Sequence, residues 1–457
     1  MVKPLDRRSF LAAAAGAAAA PAATTPPNII VIYCDDLGYG DVGCYGSSLR
    51  TPNIDRLANE GTRFTHFYSG NPVCSPSRAA LLTGRYPVRA GVPRVLFPRD
   101  TTGLPDSEVT IAQMLKKANY RTLCVGKWHL GHLPQFLPTN RGFDSYFGIP
   151  YSNDMNPRWL MEDTRVIEEQ ATLETLTPRY TERAVQFIEK SKGSPFFLYM
   201  PHTYPHIPLA ASDRFRGRSP QGIYGDVVEE IDWSIGQLLD AVRRAGADSN
   251  TLLMFSSDNG PWYQGSAGRL RGRKGSTWEG GQRVPFLARF PGRIPKGKVN
   301  HGIASVMDLL PTIGKLCGAT LPGNPLDGID IWPLLSGARR SLEREPLLMF
   351  DDMNLQCARW SRWKIHTARH NVLAYSPAPP GGKQNLPLRE PELYDLEADP
   401  DESYDVADKH PTVVAELRQK MDHIMAGMPE AVRNVHKENL SKKAAPTATG
   451  AVARPGL

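Results

Sequence analysis

The chain has 457 residues, of which 41% are hydrophobic and 22% charged, and its formal net charge is +7. This composition is typical of a globular protein with enough apolar residues for a sizeable core. A basic balance can indicate nucleic acid, a membrane surface or an acidic ligand. The central sequence has no long Lys/Arg block, zinc-finger spacing or basic stripe with interleaved aromatics. We therefore expect no nucleic-acid partner and favour anionic small molecules or polysaccharides.

The first 22 residues have the pattern of an export signal. Arg7-Arg8 precedes Phe10-Leu11 and an alanine-rich run, and Ala20-Pro21-Ala22 has the small residues of a cleavage site. Paired arginines before such a run are typical of a twin-arginine signal, whose export machinery becomes an expected partner. A plain alanine-rich tail is the alternative. The run is too short to cross a bilayer, so we expect no stable membrane span and a periplasmic or secreted protein.

The predicted elements then alternate between apolar strands and amphipathic helices. Residues 28–34 form a continuous apolar run with β-branched side chains, which predicts a buried parallel strand. One helix begins at Thr51-Pro52 and ends before Gly61, and another begins at Ser75-Pro76 and ends at Gly84. Further helical patterns cover 107–118, 178–192 and 224–245, and further strand patterns cover 121–126, 195–200 and 251–256.

This alternation predicts an α/β fold, with a mostly parallel sheet covered by helices on both faces. The pattern of predicted elements changes near residue 340, where short strands at 346–350, 355–360 and 363–367 precede a helix at 411–426. We therefore predict three parts after the signal. They are a catalytic domain over 27–340, a small C-terminal α+β domain over 341–435, and a flexible tail over 436–457, rich in Ala, Lys, Pro, Thr and Gly.

Polar side chains follow four of the predicted strands, at the point where each strand ends. They are Asp35-Asp36, Lys127 with His129, His202 with His206, and Asp258-Asn259. In open α/β sheets, ligands bind beyond the carboxyl ends of the strands. The sequence therefore predicts an active site at one edge of one sheet.

The oxygen-bearing members of this group indicate a hard divalent cation. Asp35, Asp36, Asp258 and Asn259 offer ligands that suit Ca²⁺, with Mg²⁺ second, and that are poor for zinc. Each pair alone would be compatible with an ordinary polar turn. Two such pairs at the ends of two apolar strands favour the metal.

The cationic candidates indicate a strongly anionic ligand. Arg78, Lys127, His129, His206 and Lys274 together would suit phosphate or sulfate. A lone histidine is more often structural, and His202 keeps that interpretation.

Cys74 stands just before the helix that begins at Ser75-Pro76, with Arg78 one turn further on. A helix N-terminus stabilises negative charge, which favours a nucleophile or oxyanion there. The alternative is an ordinary buried thiol.

The motifs around these residues resemble one family. Residues 74–84 match the sulfatase signature C-x-P-S-R-x(4)-T-G at every fixed position, and residues 120–130 resemble the second sulfatase signature. The second motif departs at Asn119, where the family usually has Gly, but Asn also tolerates a positive φ. The chain is similar to sulfatases over nearly its whole mature length. It looks closest to the branch of arylsulfatase A and N-acetylgalactosamine-6-sulfatase.

The resemblance implies an alkaline-phosphatase-like sandwich, and it assigns roles residue by residue. Cys74 would be converted to Cα-formylglycine by a maturation enzyme. Arg78 and Lys127 would hold its hydrate, and His129 would be the base that releases sulfate. His206, with His202 as the second candidate, would lie beside the leaving group. Lys274 would bind sulfate, with Arg273 one register away. The Ca²⁺ ligands would be Asp35, Asp36, Asp258, Asn259 and the modified residue 74.

The expected function is hydrolysis of sulfate monoesters, with sulfated carbohydrates favoured over aryl sulfates as substrates. One alternative is a phosphomonoester or phosphonate ester hydrolase, since fold does not fix the substrate. Another is a non-catalytic anion- or glycan-binding protein with unmodified Cys74. Candidate rim residues outside the sulfate pocket are Tyr151 to Asp154, Trp262-Tyr263, Arg269 and Arg271.

Overall fold

The computed structural model of the chain describes residues 25–371 and 382–444. The predicted signal peptide, and the part of the predicted tail beyond residue 444, lie outside these described residues. None of the described helices combines the length and apolarity needed to cross a membrane.

A ten-stranded mixed sheet forms the centre of the molecule, in the order β10-β2-β9-β8-β1-β7-β3-β4-β5-β6. Its strands are β1 Asn28–Cys34, β2 Thr62–Tyr68, β3 Arg121–Val125, β4 Ser145–Gly148, β5 Leu160–Glu162, β6 Arg165–Glu168, β7 Phe196–Pro201, β8 Thr251–Ser257, β9 Phe286–Arg289 and β10 Lys298–Ser305. Strands β8, β1, β7, β3 and β4 run parallel to their neighbours in this central block. The predicted mostly parallel sheet is therefore confirmed.

Both faces of this sheet are covered by helices, as the continuous apolar run of β1 predicts. Ile29, Val31 and Tyr33 enter one buried cluster, and the alternate residues Ile30 and Ile32 enter the other. The helices before residue 340 are α1 Pro52–Glu60, α2 Cys74–Thr83, α3 Ile111–Lys116, α4 Leu176–Lys190, α5 Gly222–Arg244, α6 Glu279–Gln282, α7 Leu309–Leu316 and α8 Trp332–Leu335. Side chains of α2, α3 and α7 lie in the first cluster, and side chains of α1, α4 and α5 lie in the second.

Local sequence signals explain several helix ends. Gly84 follows α2 with φ 68°, and Asn119 has φ 63°, so both adopt the left-handed conformation that their residue types allow. The helix predicted over 107–118 is shorter in the structure. Thr110 forms a capping box with Gln113, which starts α3 at Ile111 and leaves the preceding residues outside the helix.

A second sheet of four antiparallel strands follows in the order β11-β12-β13-β14. Its strands are β11 Leu347–Asp351, β12 Asn354–Trp360, β13 Trp363–His370 and β14 Asn385–Asp395. Leu348, Phe350 and Ile365 of this sheet belong to the same buried cluster as α2. The small sheet therefore shares a buried core with the helices on the face of the large sheet that carries Cys74.

Two helices, α9 Pro411–Ala426 and α10 Glu430–Ala444, end the described chain. The predicted flexible tail begins at His436, inside α10, and is wrong for residues 436–444, which are helical. Val432 is buried in the core, and Asn439 donates a hydrogen bond to Asn354 Oδ1 at 3.0 Å. Alanine and lysine are good helix formers, so a composition that looks loose can form a helix once one side packs on a sheet.

Candidate active site

The central strands bring acidic and basic side chains together at their carboxyl ends. Asp35 and Asp258 follow β1 and β8, which are adjacent and parallel. Arg78 of α2 lies between their carboxylates, with Nη2 at 3.2 Å from Asp35 Oδ2 and 2.7 Å from Asp258 Oδ2. Lys127, which follows β3, forms a close ion pair with Asp35. All four side chains are fully buried, so each charge depends on these partners.

A second group surrounds Asp36. Lys274 Nζ lies 2.8 Å from Asp36 Oδ1, and Asn259 Nδ2 donates a hydrogen bond to the same oxygen at 2.8 Å. His206 Nε2 lies 3.8 Å from Asp36 Oδ2. Asp36 itself has φ 65°, a left-handed conformation that is uncommon outside glycine but that aspartate tolerates better than most residues.

Three carboxylates thus face three basic side chains, Arg78, Lys127 and Lys274, and their formal charges balance. Burial would raise the pKa of Asp35, but Lys127, His206 and Arg78 hold it well below its usual range. Burial and the charge of Asp35 raise the pKa of Asp258 despite its contact with Arg78. The pKa values of Asp35 and Asp258 are therefore shifted in opposite directions, although both carboxylates contact Arg78.

Cys74 is the first residue of α2 and is 2% exposed. Its Sγ lies 3.6 Å from Asp35 Oδ1. Burial, followed by the charge of Asp35, raises the pKa of the thiol to about 12. An unmodified thiol would therefore be protonated at neutral pH and would be a weak nucleophile.

The hydrogen bonding of His129 fixes its tautomer. Its Nε2 lies 2.9 Å from the carbonyl oxygen of Leu96, and a carbonyl can only accept, so Nε2 carries the proton. Nδ1 is buried and has no hydrogen-bond partner among the described residues. Burial and the nearby charges of Lys127 and Arg78 lower the pKa of the ring. His129 is therefore neutral, with an available lone pair on Nδ1.

The two histidines in the loop after β7 have different surroundings. His206 Nδ1 donates to the carbonyl of Ile207 at 2.5 Å, and its Nε2 faces Asp36. His202 is fully buried, does not line the cavity over Cys74, and has neither ring nitrogen hydrogen-bonded within the described structure. Burial lowers its pKa to about 3. The structure therefore places His206 in the charged cluster and His202 outside it.

Lys274 and Arg273 are also distinguished by their contacts. Lys274 reaches Asp36, whereas Arg273 donates to the carbonyl oxygens of Trp262 and Gly265 at 3.0 and 2.8 Å. The backbone between them turns so that the two neighbouring side chains lie in different cavities.

Several side chains of this cluster bring possible ligand atoms close enough together to bind one cation. Asp35, Asp36, Cys74 and His206 each bring one ligand atom into a group whose members lie within 4.8 Å of one another. Asn259 Oδ1 is buried and accepts no hydrogen bond from the described residues, which leaves it available to a cation. Asp258 is not in this group, and its carboxylate accepts from Arg78 and from the backbone N–H of Asp36; its role as a cation ligand stays a prediction.

A cavity of about 730 Å³, which we call the active-site pocket, opens over Cys74. His129, His206, Lys274 and, among the predicted rim residues, Ser152, Asp154 and Trp262 line it. Ser152 Oγ also accepts a hydrogen bond from Lys127 Nζ at 3.0 Å.

The small antiparallel sheet supplies a wall of this pocket that the sequence interpretation missed. The wall consists of Asp351, Asp352, Asn354, His370, Lys383 and Asn385. One signal was present in the sequence. Asp351-Asp352 follows an apolar strand as Asp35-Asp36 does, although an antiparallel strand end does not by itself indicate a site.

Comparisons with known proteins agree with this geometry. A family model described as sulfatase matches residues 27–319, and one described as the C-terminal region of aryl-sulfatase matches residues 342–451. The chain belongs to the sulfatase family. This sulfatase is 40% identical over 437 residues to arylsulfatase A of Homo sapiens, covering 86% of each chain. It is 41% identical over 371 residues to human N-acetylgalactosamine-6-sulfatase, covering 74% of this chain and 71% of that protein.

Solved structures agree with the sequence relatives. The PsFucS1 sulfatase from Pseudoalteromonas sp. superimposes with a TM-score of 0.81 at 30% identity, covering 88% of this chain and 90% of that chain. The protein is thus an enzyme that hydrolyses sulfuric esters, and its two sheets are those of the sulfatase fold.

Proposed function

We propose that this sulfatase cleaves sulfate monoesters of carbohydrates, using Ca²⁺ and a formylglycine made from Cys74. The observation that carries the proposal is the position of Cys74. It lies at the start of α2, against Asp35, at the base of a pocket lined by basic side chains. The thiol itself is a poor nucleophile there, whereas an aldehyde hydrate would supply one hydroxyl to attack sulfur and a second whose deprotonation expels sulfate.

The candidate ligands fit Ca²⁺ better than zinc, because the oxygen atoms of Asp35, Asp36 and Asn259 are hard donors. A bound Ca²⁺ would polarise the nucleophile and the sulfate oxygens. It would also change the charge of the site. The carboxylates and cationic side chains balance one another, so a divalent cation would leave a net positive site for the sulfate ester.

Arg78, Lys127 and Lys274 are proposed to bind the hydrate and the sulfate oxygens. Each is already held by a carboxylate, so it needs little rearrangement as charge builds in the transition state. Lys274 is favoured over Arg273 because it lines the active-site pocket.

Two histidines are proposed to move protons. His129 accepts a proton at Nδ1, since its Nε2–H is committed to the Leu96 carbonyl. His206 donates to the leaving alcohol from Nε2 when it is protonated, a state that Asp36 at 3.8 Å favours and burial disfavours. Lys274 beside it is the second donor.

The pocket favours a carbohydrate over a simple aryl group. Its volume exceeds what a sulfate needs, and its outer wall from the small sheet carries carboxylate, amide and imidazole groups suited to hydroxyls. One relative is named N-acetylgalactosamine-6-sulfatase, and that name refers to the sulfate of a carbohydrate.

Export by the twin-arginine machinery is proposed from Arg7-Arg8 and the following residues, together with conversion of Cys74 by a maturation enzyme before export. Changing Arg7→Lys and Arg8→Lys together should retain the protein in the cytoplasm. Cell fractionation measures where the double variant is located. Export equal to that of the wild type would contradict the twin-arginine route.

The test of the chemistry is the mass of the tryptic peptide from Phe64 to Arg78, taken from the protein purified from its native host. We expect an aldehyde in place of the thiol at residue 74. An intact cysteine in exported, folded and active protein would overturn the mechanism. An intact cysteine in inactive protein that still binds sulfated sugars would favour a binding role.

The substrate class is tested by comparing turnover of an aryl sulfate and the matching aryl phosphate. We expect kcat/KM to be higher for the sulfate. The reverse order would assign the protein to phosphate or phosphonate ester hydrolysis within the same fold.

A further inference from the structure

A second cavity of about 640 Å³, which we call the arginine cleft, lies beside the active-site pocket. Its charged and aromatic lining residues are Tyr263, Arg271, Arg273, Trp278, Arg369 and two histidines, His366 and His370. No aspartate or glutamate is among the described residues that line it. The cleft therefore presents positive charge without a carboxylate on its surface, which is the arrangement that attracts an anion.

Two of these arginines are held in place before any ligand binds. The guanidinium of Arg271 lies 3.9 Å from the ring centre of Trp278, and that of Arg369 lies 5.5 Å from the same ring. Arg271 donates to the carbonyl of Glu402 at 2.7 Å, and Arg369 pairs with Glu392. A guanidinium has five N–H donors, so these contacts orient each group without using all its donors.

The cleft also contains buried nitrogen atoms that lack partners. His366 is 1% exposed, and its Nδ1 has no hydrogen-bond partner within the described residues, while its Nε2 contacts Glu402 at 2.8 Å. Nε of Arg369 is likewise buried without a partner in the described structure. An unpaired buried polar atom can bond to a water or to a ligand group, and both of these nitrogen atoms belong to residues that line the cleft.

The arginine cleft is continuous with the active-site pocket. Lys274 lines the pocket, and its neighbour Arg273 lines the cleft. His370 lines both cavities. Gln356, on the cleft side, donates to Asn385 Oδ1, on the pocket side, at 3.0 Å. A chain molecule bound in the pocket can therefore continue directly into the cleft.

The two cavities differ in charge. Besides the groups around Cys74, the pocket is lined by Asp154, Asp351 and Asp352 together with Arg94 and Lys383, and Asp351 is paired with His370 and Lys383. Carboxylates therefore offset the basic side chains in this part of the lining, whereas the lining of the arginine cleft has none, so the cleft favours a second anion more strongly.

We propose that the arginine cleft binds a second anionic group, a sulfate or a carboxylate, on the same polysaccharide whose sulfate ester occupies the pocket. The proposal rests on the proposed carbohydrate substrate and narrows it to an anionic polymer that carries charge on neighbouring sugars. Arg271 and Arg369 bind this second anionic group, and the ring of Trp278 holds their guanidinium groups in position.

The test measures binding in the Cys74→Ala background, so that turnover does not interfere. The probes are a chondroitin 6-sulfate tetrasaccharide and the monosaccharide N-acetylgalactosamine 6-sulfate, with Kd measured by calorimetry. Arg271→Gln and Arg369→Gln should each raise Kd for the tetrasaccharide by roughly tenfold, since each removes a charge-assisted contact. Their effect on Kd for the monosaccharide should be several-fold smaller.

Arg362→Gln is the matched control. Arg362 also lies over a tryptophan, 5.5 Å from the Trp363 ring centre, and also pairs with a carboxylate, Asp395, but it lines neither cavity. It should leave the ratio of the two Kd values unchanged. Equal effects of all three variants, or no effect of the two cleft variants on the tetrasaccharide, would overturn the proposal.

Carboxyl-reduced tetrasaccharide then identifies the second anion. If the cleft variants no longer raise Kd for the carboxyl-reduced tetrasaccharide, the arginines bind a uronate carboxylate. If they still raise Kd, the arginines bind a sulfate. Both results support an anion-binding role for the arginine cleft. Failure of the proposed function is separate, because it would appear as wild-type protein that hydrolyses no sulfate ester, whatever the cleft variants do to Kd.

Discussion

Two buried clusters of charge lie in this sulfatase, and they differ in how their oxygen atoms are used. The first is the active-site cluster of Asp35, Asp36, Asp258 and their cationic partners. The second, which we call the α6 cluster, consists of Glu279, Lys364, Glu402 and His366, and it joins α6 to the small sheet. Both are nearly inaccessible to solvent, so burial alone does not mark the site.

The α6 cluster is fully bonded at its carboxylates. Glu279 accepts from Lys364 at 3.0 Å and from the hydroxyl of Tyr68 at 2.9 Å. Glu402 accepts from His366 at 2.8 Å and from the backbone N–H of Glu279 at 2.6 Å. Burial would raise the pKa of Glu279, but the charges of Lys364, Arg283 and Arg359 hold it at about 2. The carboxylates of this cluster therefore form a structural connection in which every oxygen has a partner among the described residues, and of its four members only His366 also lines the arginine cleft.

The active-site cluster leaves acceptor atoms unused and opens into a cavity. Asn259 Oδ1 has no donor among the described residues, and Lys274 lines the active-site pocket. Left-handed backbone does not separate the two clusters, since Glu402 has φ 52° and Asp36 has φ 65°. Available ligand atoms beside a cavity are therefore the better indicator of function, and the following predictions test this.

The largest effect should come from Cys74→Ala. If residue 74 becomes the nucleophile, its loss should lower kcat on an aryl sulfate by a factor on the order of 10⁶. The fold should persist, because alanine removes one buried sulfur and its single weak contact with Asp35. Thermal unfolding and circular dichroism check the fold, and activity within tenfold of wild type would rule out residue 74 as the nucleophile.

Lysine-to-methionine substitutions in the two clusters should have opposite consequences. Lys364→Met removes the buried lysine that contacts both Glu279 and Glu402, although Arg283 stays 3.5 Å from Glu279, and should lower the free energy of unfolding by about 3–5 kcal/mol. Lys274→Met should lower kcat/KM by about 10²–10³ with a smaller loss of stability, because Asp36 keeps Asn259 and His206 as neighbours. Urea unfolding and steady-state kinetics on both variants make the comparison. If Lys274→Met proved the more destabilised protein and kept its activity, our division into functional and structural clusters would be wrong.

Metal removal should affect the active-site cluster alone. Ca²⁺ at 100 times its Kd should stabilise the folded protein by about 2.7 kcal/mol, and a chelator should remove this gain together with activity, both reversibly. Asn259→Leu, which keeps the side-chain size but removes the oxygen, should abolish most of the Ca²⁺-dependent rise in Tm. Mg²⁺ in place of Ca²⁺ identifies the preferred ion. Activity that survives prolonged chelation would count against any metal at this site.

The contrast between the clusters also explains what the sequence could predict. Asp35, Lys127 and Asp258 follow apolar parallel strands, so the sheet rule locates them without any tertiary information. The strands β5 and β6 were missed because they have only three and four residues, and β6 at the sheet edge is mostly exposed. The pairing of Lys364 with Glu279 was equally hidden, since the residues lie far apart in sequence and neither stands at a parallel strand end.

The same limit applies to the pocket wall and the arginine cleft. Asp351 and His370 line the pocket because the antiparallel sheet shares a buried core with the part of the chain around Cys74, and no local pattern encodes that docking. Arg271 stood among the predicted rim residues, but its position over Trp278 depends on the loop between β8 and α6. Periodicity predicts elements and their ends, whereas contacts between separate sheets depend on packing.

The smallest predicted effect distinguishes the two histidines after β7. His202 is fully buried, and burial lowers its pKa from the ordinary value of about 6.5 to about 3. Between these two pH values, His202 is protonated in the unfolded chain but neutral in the native protein. This residue therefore makes stability fall by up to about 1.4 kcal/mol per pH unit as pH decreases from about 6.5 towards 3. His202→Gln should reduce the slope of unfolding free energy against pH by about one proton, measured by urea unfolding between pH 6 and pH 5. It should keep most of the activity, because His202 does not line the pocket, whereas His206→Gln should lose it. An unchanged slope together with lost activity in His202→Gln would reverse the assignment and make His202 the residue beside the leaving group.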